Sequence, residues 1–237
     1  MGAFYVACKS CRILIYILLG NSVLKYFIIP VTHYRQNCSL LWCDETQRAA
    51  VVDPGGNVDH ILQEIDARQL TVEKILLTHG HLDHVGGVAA LKAKCDVPIE
   101  GPHVDDMFWI NQLPLQAQMM GFAPPQSFEP DRFFVDGDAV TFGHVRLQIL
   151  HCPGHTPGHI IFYHADTKLA LVGDVLFRGS IGRTDFPRGN YNALVNSIRQ
   201  KLWPLGDDVK FIPGHGPMST FGDERKHNAF VADTRFG

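Results

Sequence analysis

The stretch Thr78-His79-Gly80-His81-Leu82-Asp83-His84 carries more information than any other part of this chain. Three imidazoles and one carboxylate fall within it, after the apolar residues Ile75-Leu76-Leu77 and before Gly86-Gly87. Residues two positions apart do not share a helix face, so these side chains can converge only from a loop at a strand end. Histidine and aspartate at this density are typical of metal ligands. The stretch therefore predicts a metal site at the end of a strand.

Three later segments repeat the arrangement of an apolar strand followed by a glycine-bearing turn with potential ligands. They are Leu150-His151-Cys152-Pro153-Gly154-His155-Thr156-Pro157-Gly158-His159, Leu171-Val172-Gly173-Asp174 and Phe211-Ile212-Pro213-Gly214-His215-Gly216-Pro217. Glycine lets the backbone turn sharply, and loops at strand ends are where catalytic groups collect. In the first of these segments, spacing alone leaves His151, His155 and His159 as competing ligands.

Hydrophobic periodicity predicts two successive halves, each with strands followed by helices. Strands are predicted at 26–29, 38–42, 49–52, 72–77, 97–99, 159–163, 169–172 and 209–212, with a hairpin over 140–150. Helices are predicted at 58–67, 85–94 and 191–202. Residues 101–130 are irregular, and we expect them either to pack on the core or to form an apolar wall over the cleft. Two halves of this kind predict an α/β (α+β) fold built in layers.

Composition and charge restrict the class of protein. The chain has 237 residues, 46% of them hydrophobic, and a net charge of -3 without a dense Lys/Arg run. We expect one domain over residues 23–237, with no nucleic-acid partner. Residues 1–22 are expected to be an extension outside the fold, because the apolar run 13–19 is too short to span a membrane. The alternative is a signal peptide or an anchor. No protein partner can be inferred.

The cysteines indicate a reducing compartment. Six are present, and their spacing suggests no disulfide framework. The pair Cys8 and Cys11 has the C-x-x-C spacing but lacks the second pair that a zinc site would need. We therefore expect reduced cysteines in a cytoplasmic protein.

Together, the H-x-H-x-D-H stretch, the later histidine, the aspartate and the last histidine resemble the metallo-β-lactamase superfamily over nearly all of residues 24–237. Within it, the chain looks most like the hydroxyacylglutathione hydrolases (glyoxalase II), in their short bacterial form lacking the C-terminal helical domain. The resemblance implies a four-layer αββα sandwich with a dinuclear metal site at the edge of its two sheets. The implied ligands are His79, His81 and His155 for the first metal, Asp83, His84 and His215 for the second, and Asp174 bridging both. Such nitrogen and oxygen ligands suit two divalent ions, zinc first, with iron or manganese also tolerated.

The family pattern also separates the competing histidines. It selects His155, between Pro-Gly and Thr-Pro-Gly, and leaves His151 and His159 as supporting or core histidines. Asp53, in the turn Val52-Asp53-Pro54-Gly55, is expected to be structural or to support a ligand.

The resemblance implies hydrolysis of glutathione-type thioesters, such as S-lactoylglutathione, by a metal-bridging hydroxide that Asp83 and Asp174 orient. Arg178 or Arg183 would bind the acidic end of this small-molecule substrate, the alternative being ordinary surface charge. The run Gly182–Gly189 also resembles persulfide dioxygenases, which would use a mononuclear Fe(II). Persulfide oxidation and lactone hydrolysis are therefore the competing reactions.

Overall fold

A computed structural model describes residues 24–236 of the protein, so the apolar run 13–19, Cys8, Cys11 and the predicted boundary at residues 22–23 lie outside the described part. The first sheet has five strands, and their order across the sheet follows the chain. They are β1 (Leu24–Val31), β2 (Gln36–Cys43), β3 (Arg48–Val52), β4 (Thr71–Leu76) and β5 (Ile99–Glu100). The first three strands are antiparallel, whereas β3, β4 and β5 are parallel.

The second sheet has six strands. In chain order they are β6 (Ala139–Phe142), β7 (Val145–His151), β8 (Ile160–His164), β9 (Leu169–Gly173), β12 (Lys210–Pro213) and β13 (Ser219–Thr220). Across the sheet the order is β13-β12-β9-β8-β7-β6, with β12 parallel to β9. A separate hairpin of β10 (Leu176–Phe177) and β11 (Ser180–Ile181) follows β9.

The helices connect the strands and cover the sheets. They are α1 (Val58–Ala67), α2 (Leu82–Val85), α3 (Val88–Cys95), α4 (Met107–Ile110), α5 (Leu113–Met120), α6 (Tyr191–Ser197) and α7 (Phe221–His227). A π-helical turn, Ile198–Leu202, extends α6, and short 3-10 turns lie at Val104–Asp106, Trp203–Leu205 and Asp233–Arg235. Within residues 24–236, no helix has the length and apolar character needed to cross a membrane.

Three apolar cores separate the layers. Successive side chains of a strand point to opposite faces, so neighbouring residues enter different cores. In β2, Leu40 packs with Ile61 of α1, whereas Leu41 belongs to the core between the two sheets. In β8, Phe162 enters the core between the sheets, and Ile161 packs with the α6 side of the second sheet. The order is therefore helix, sheet, sheet, helix, and the expected αββα sandwich is confirmed.

The structure differs from the sequence prediction mainly around glycines and short elements. The predicted helix 85–94 begins only at Val88, as α3, because Gly86 and Gly87 separate it from the unpredicted α2 where the chain passes close to other backbone. A Cβ on Gly87 would lie 2.6 Å from the Pro54 carbonyl oxygen. The β10–β11 hairpin, β13 and α7 were not predicted, because two-residue strands and a short helix carry too little periodicity to detect.

Candidate metal centre

Four segments deliver the predicted site residues to one edge of the sandwich. His79 and His81 lie in the loop after β4, as expected, whereas Asp83 and His84 lie in the short helix α2 and not in a loop; His155 lies between β7 and β8. Asp174 directly follows β9, and His215 follows β12. Parallel β9 and β12 end side by side, which brings the last two residues together. The structure thus collects all seven predicted ligands, which are spread over more than half of the sequence.

His79, His81 and His155 form the first group of potential ligands. Each offers one nitrogen, and these atoms all lie within 4.8 Å of one another. His81 Nδ1 is 2.9 Å from His155 Nε2, and all three residues are buried. Burial, with a further contribution from neighbouring imidazoles, holds the pKa of His79 and His81 well below the usual range. Neutral imidazoles of this kind are the form that binds metal.

Asp83, His84 and His215 form the second group, whose ligand atoms also lie within 4.8 Å of one another. His215 Nε2 is 3.1 Å from Asp83 Oδ2, and His84 Nε2 is 3.9 Å from the same oxygen. Burial opposes a charge on His84, but Asp174 and Asp83 outweigh it and raise its pKa well above the usual value. In the absence of metal, a proton on His84 therefore compensates the carboxylates.

Asp174 lies between the two groups. Its Oδ1 is 3.3 Å from His84 Nε2, and its Oδ2 is 3.6 Å from His155 Nε2 and 3.8 Å from His215 Nε2. Burial would raise the pKa of this carboxyl, but His84 above all holds it well below its usual range. An ionised carboxylate in contact with both groups has the position that a bridging ligand needs.

Unpaired buried atoms show that the pocket of side chains suits a cation. His79 Nε2 and His81 Nε2 are buried without a hydrogen-bond partner, and His84 Nε2 and Asp174 Oδ1 are buried with no hydrogen bond beyond their own ion pair at 3.3 Å. Buried polar atoms in proteins are nearly always satisfied, so a cluster of unpaired ones needs a ligand. Nitrogen and oxygen donors without sulfur fit zinc, iron or manganese. The His/Asp clusters thus form a divalent-metal site.

A second layer of hydrogen bonds orients these side chains. Asp53 Oδ2 accepts a hydrogen bond from Thr78 Oγ1 at 2.6 Å and lies 2.9 Å from His84 Nδ1. On the other side, His155 Nδ1 is 2.8 Å from the Arg183 carbonyl oxygen and therefore donates to it. Partners of this kind fix the tautomer and ring orientation of metal-binding histidines. Asp53 thus lies where the sequence analysis expected a supporting residue.

Asp106 is the important residue that the sequence analysis missed. Its buried carboxylate accepts hydrogen bonds from Gly80 N at 2.8 Å, Thr156 Oγ1 at 2.8 Å and Gly158 N at 2.5 Å. It thereby joins the loop of His79 and His81 to the loop of His155. Burial raises the pKa of Asp106 to about 6 despite these donors. Its sequence context, an aspartate among irregular residues, gave no local signal of this role.

The two competing histidines occupy different surroundings. His159 accepts a hydrogen bond from Asp174 N at its Nε2, 3.0 Å away, and its ring stacks on His79 with centroids 4.6 Å apart. It lies behind the ligands and supports them. His151 donates from Nε2 to the Pro157 carbonyl oxygen at 2.8 Å and does not join the central groups. Of these three histidines, His155 is the one whose ring nitrogen faces the first group, with Nε2 2.9 Å from His81 Nδ1.

A cavity of about 790 Å³ opens over the two groups. His81, Asp83, His155, Asp174 and His215 lie on its lining, so five of the seven predicted ligands are accessible from it. Its remaining lining is largely apolar: Trp109, Leu115, Met119, Met120, Phe177, Ile181 and Phe186. Both expectations for residues 101–130 therefore hold, because Ile110 and Leu113 pack on the first core while other side chains form the wall.

The two arginines both border the cavity but differ in their contacts. Arg183 donates two hydrogen bonds to Asp185, at 2.9 and 2.8 Å, and lies over the Phe186 ring. Arg178 is exposed and, among the described residues, forms no ion pair. Arg178 is therefore the cation that remains available at the cavity.

Comparison with known proteins gives consistent results. The sequence model described as "Metallo-beta-lactamase superfamily" matches residues 31–215. Hydroxyacylglutathione hydrolase GloC of Haemophilus influenzae is 49% identical over 205 residues, covering 86% of this chain and 96% of that protein. The crystal structure of BLEG-1 B3 metallo-beta-lactamase aligns with a TM-score of 0.81 and 33% identity, covering 87% of this chain and 99% of its own. TTHA1623 in a di-iron-bound form aligns with a TM-score of 0.79 and 36% identity, covering 86% and 100%.

Proposed function

The chain belongs to the metallo-β-lactamase superfamily and is a metal-dependent hydrolase, and we propose that its substrates are glutathione-type thioesters, with S-lactoylglutathione the first to test. One observation carries the proposal: seven histidine and aspartate side chains converge beneath a cavity large enough for a small-molecule ester. The 49% identity to a hydroxyacylglutathione hydrolase, over nearly the whole of that protein, supports the choice of thioesters.

The proposed ligands are His79, His81 and His155 for one ion and Asp83, His84 and His215 for the other, with Asp174 shared. We propose zinc at both positions, with iron or manganese as alternatives. Ions held by these residues would lower the pKa of bound water and supply hydroxide at neutral pH. Asp83 and Asp174 are the carboxylates that would accept hydrogen bonds from the attacking water and orient it. The thiolate of a thioester leaves readily, so no protein acid is needed at the leaving sulfur.

The substrate would be held by the cavity wall and by Arg178. Leu115 and Met119 of α5 line the cavity and are 51% and 79% exposed, so apolar surface is available to a ligand there. Methionine is flexible and adapts to ligands of different shape. Arg178 can bind a substrate carboxylate through two hydrogen bonds, whereas the guanidinium of Arg183 is already paired with Asp185. We therefore assign the acidic end of the thioester to Arg178 rather than Arg183.

We also propose that the protein works in the cytoplasm on a small-molecule substrate, without a nucleic-acid partner. The cysteines of the described part, Cys38, Cys43, Cys95 and Cys152, are free thiols, which supports a reducing compartment. The net charge of -3 and the lack of a dense Lys/Arg run in the sequence support the proposal that nucleic acid is not a partner.

The test is thiol release from S-lactoylglutathione by protein loaded with zinc or manganese. We expect release by the wild type and its loss in His79→Ala, because His79 is one of the three histidines of the first group. His60→Ala is the matched control, since His60 is an exposed histidine on α1. Elemental analysis of all three proteins would show whether lost activity follows lost metal.

Absence of thiol release in a wild-type protein that holds metal would refute thioester hydrolysis. Oxygen uptake with a persulfide by protein holding one iron would then indicate persulfide oxidation. Opening of a lactone by protein holding two ions would indicate a lactonase.

A further inference from the structure

A further cluster of potential ligands lies outside the cavity lining: His103, Asp105 and His151. We propose that these three side chains form a peripheral binding site for a divalent transition-metal ion of the zinc class. The site is separate from the central groups and does not depend on the reaction proposed for them. It joins the turn at residues 103–105 to the end of strand β7.

The distances within the cluster are close to those that zinc requires. The three candidate ligand atoms all lie within 4.8 Å of one another. His103 Nδ1 is 3.3 Å from Asp105 Oδ2. Ligand atoms bound at about 2.0–2.1 Å to a tetrahedral zinc are themselves about 3.3 Å apart. The His103–Asp105 pair is therefore near the spacing of two zinc ligands, and His151 lies within reach as the third.

The hydrogen bonds show which nitrogen of each ring is unprotonated. His151 Nε2 is 2.8 Å from the Pro157 carbonyl oxygen, which can only accept, so Nε2 carries the proton and Nδ1 the lone pair. His103 Nδ1 accepts a hydrogen bond from Asp105 N at 3.3 Å, so it is unprotonated, and a bound ion would replace this long hydrogen bond. A histidine that donates its second N–H to a backbone carbonyl is the usual arrangement at a metal. Partial burial, the largest effect, also lowers the pKa of His151 and favours its neutral form.

The charges around the cluster permit a cation. Asp105 supplies a half-exposed carboxylate. Lys201 is the nearby positive group, and it donates a hydrogen bond to Asp136 at 2.8 Å, which offsets its charge. With one carboxylate and two imidazoles, the cluster resembles an open zinc site that keeps its fourth position for water.

Geometry also sets the strength of binding. The His103 and His151 rings are stacked, with centroids 4.3 Å apart and planes at 15°. In-plane lone pairs of stacked rings do not point at a common ion, so one ring must rotate. His151 is held by Pro157, so the His103 ring is the one that must turn, and its long hydrogen bond from Asp105 N must then break. Because this movement opposes binding, we expect micromolar rather than nanomolar affinity for zinc.

A bound ion would brace the loop that carries His155. His103 N donates to the Gly158 carbonyl oxygen at 3.1 Å, and His151 donates to Pro157. Both histidine ligands are thus already attached to the segment between His155 and β8. A bound ion would link His103 to His151 and so connect the two hydrogen bonds that hold this segment.

The experiment is equilibrium dialysis of the metal-loaded, full-length protein against a series of free Zn²⁺ concentrations, from below micromolar to well above it, followed by elemental analysis. The quantity measured is the difference in bound zinc between the wild type and His103→Ala, which does not depend on how many ions the central groups hold. At saturation we expect the wild type to hold one equivalent of zinc more than His103→Ala. The zinc affinity of this site should fall in the variant by more than the about 10–100-fold that is typical when a hydrogen-bond partner of a ligand is lost.

His60→Ala is again the matched control, because His60 Nε2 lies 3.4 Å from the Glu64 carboxylate on the surface without a third ligand. It should retain the extra equivalent. Asp105→Asn, which keeps the shape of the side chain and removes its charge, should lose it. Equal zinc content in the wild type and His103→Ala would overturn the proposal, as would loss of the extra equivalent in His60→Ala.

Discussion

Replacing Asp106 with alanine tests how the two ligand loops are held together. The carboxylate accepts hydrogen bonds from Gly80, Thr156 and Gly158, and alanine would leave all three buried donors unpaired. Each such donor costs about 1–3 kcal/mol, so the gross loss is about 3–9 kcal/mol. The substitution also removes a buried charge, and this offsets part of the loss. The pKa shift of Asp106 from 3.8 to about 6 corresponds to about 3 kcal/mol of destabilisation at neutral pH that the alanine variant no longer carries. We expect a net loss of about 3 kcal/mol in the free energy of unfolding.

Thermal unfolding measures this loss directly. For a chain of this length, about 3 kcal/mol corresponds to a decrease in Tm of roughly 6–12 °C. The neighbouring variant Asp105→Ala, measured without added zinc, should stay within about 0.5 kcal/mol of the wild type because that side chain lies at the surface. A Tm of Asp106→Ala within a degree or two of the wild type would refute the role assigned to the carboxylate.

The pH dependence gives a second, independent measure. The pKa of Asp106 is higher in the folded protein than in the unfolded chain, so the folded state binds the proton more tightly. Stability from this group is therefore gained as the pH falls below about 6 and is lost as it rises through that value. Between pH 7 and pH 5 the wild type should gain about 1 kcal/mol relative to Asp106→Asn, which cannot ionise. An unchanged difference between the two proteins over this range would contradict the buried, ionised state.

Three further outcomes follow from the site. In steady-state kinetics, Arg178→Ala should raise KM for the thioester about tenfold or more with little change in kcat. Arg183→Ala should change KM much less. Equal effects of the two substitutions would contradict the assignment of the acidic end of the substrate to Arg178. Zinc affinity, measured by chelator competition, should fall by up to about tenfold for each unit of pH decrease near neutrality. The reason is that zinc must displace the proton that the raised pKa keeps on His84. An affinity that does not change with pH would show that His84 carries no such proton. Gly214→Ala should reduce metal content and thiol release together, since its Cβ would overlap Asp174 Oδ1; full metal content in elemental analysis would show that Asp174 can move aside.

Local patterns were enough to predict much of the architecture. Helix α1 has the bounds 58–67 that apolar spacing predicted, and most long strands were located to within two residues. Both follow from periodicity, because a buried face repeats every second or every third to fourth residue. The layered αββα arrangement came from the resemblance to a known family, and the three apolar cores confirm it.

The candidate ligands could also be identified from the sequence, because each is a histidine or aspartate on a glycine-bearing turn directly after a strand. The decisions between alternatives required the folded chain. Among His151, His155 and His159, only the last two reach the central cluster, and His159 turns its ring behind the ligands to bind Asp174 N. No local spacing contains that information, since it depends on how two loops approach across the sheets.

The same reason explains what the sequence analysis missed. Asp106 acts through Gly80 and Gly158, residues that lie 26 and 52 positions away. Arg178 and Arg183 are alike in sequence and differ only because Asp185 pairs with one of them. A chain specifies its elements through neighbours a few residues apart, so fold and ligand types can be predicted from local patterns. Contacts between distant residues form only when the sheets and loops pack, and these contacts determine which side chains hold the site and which remain free to bind.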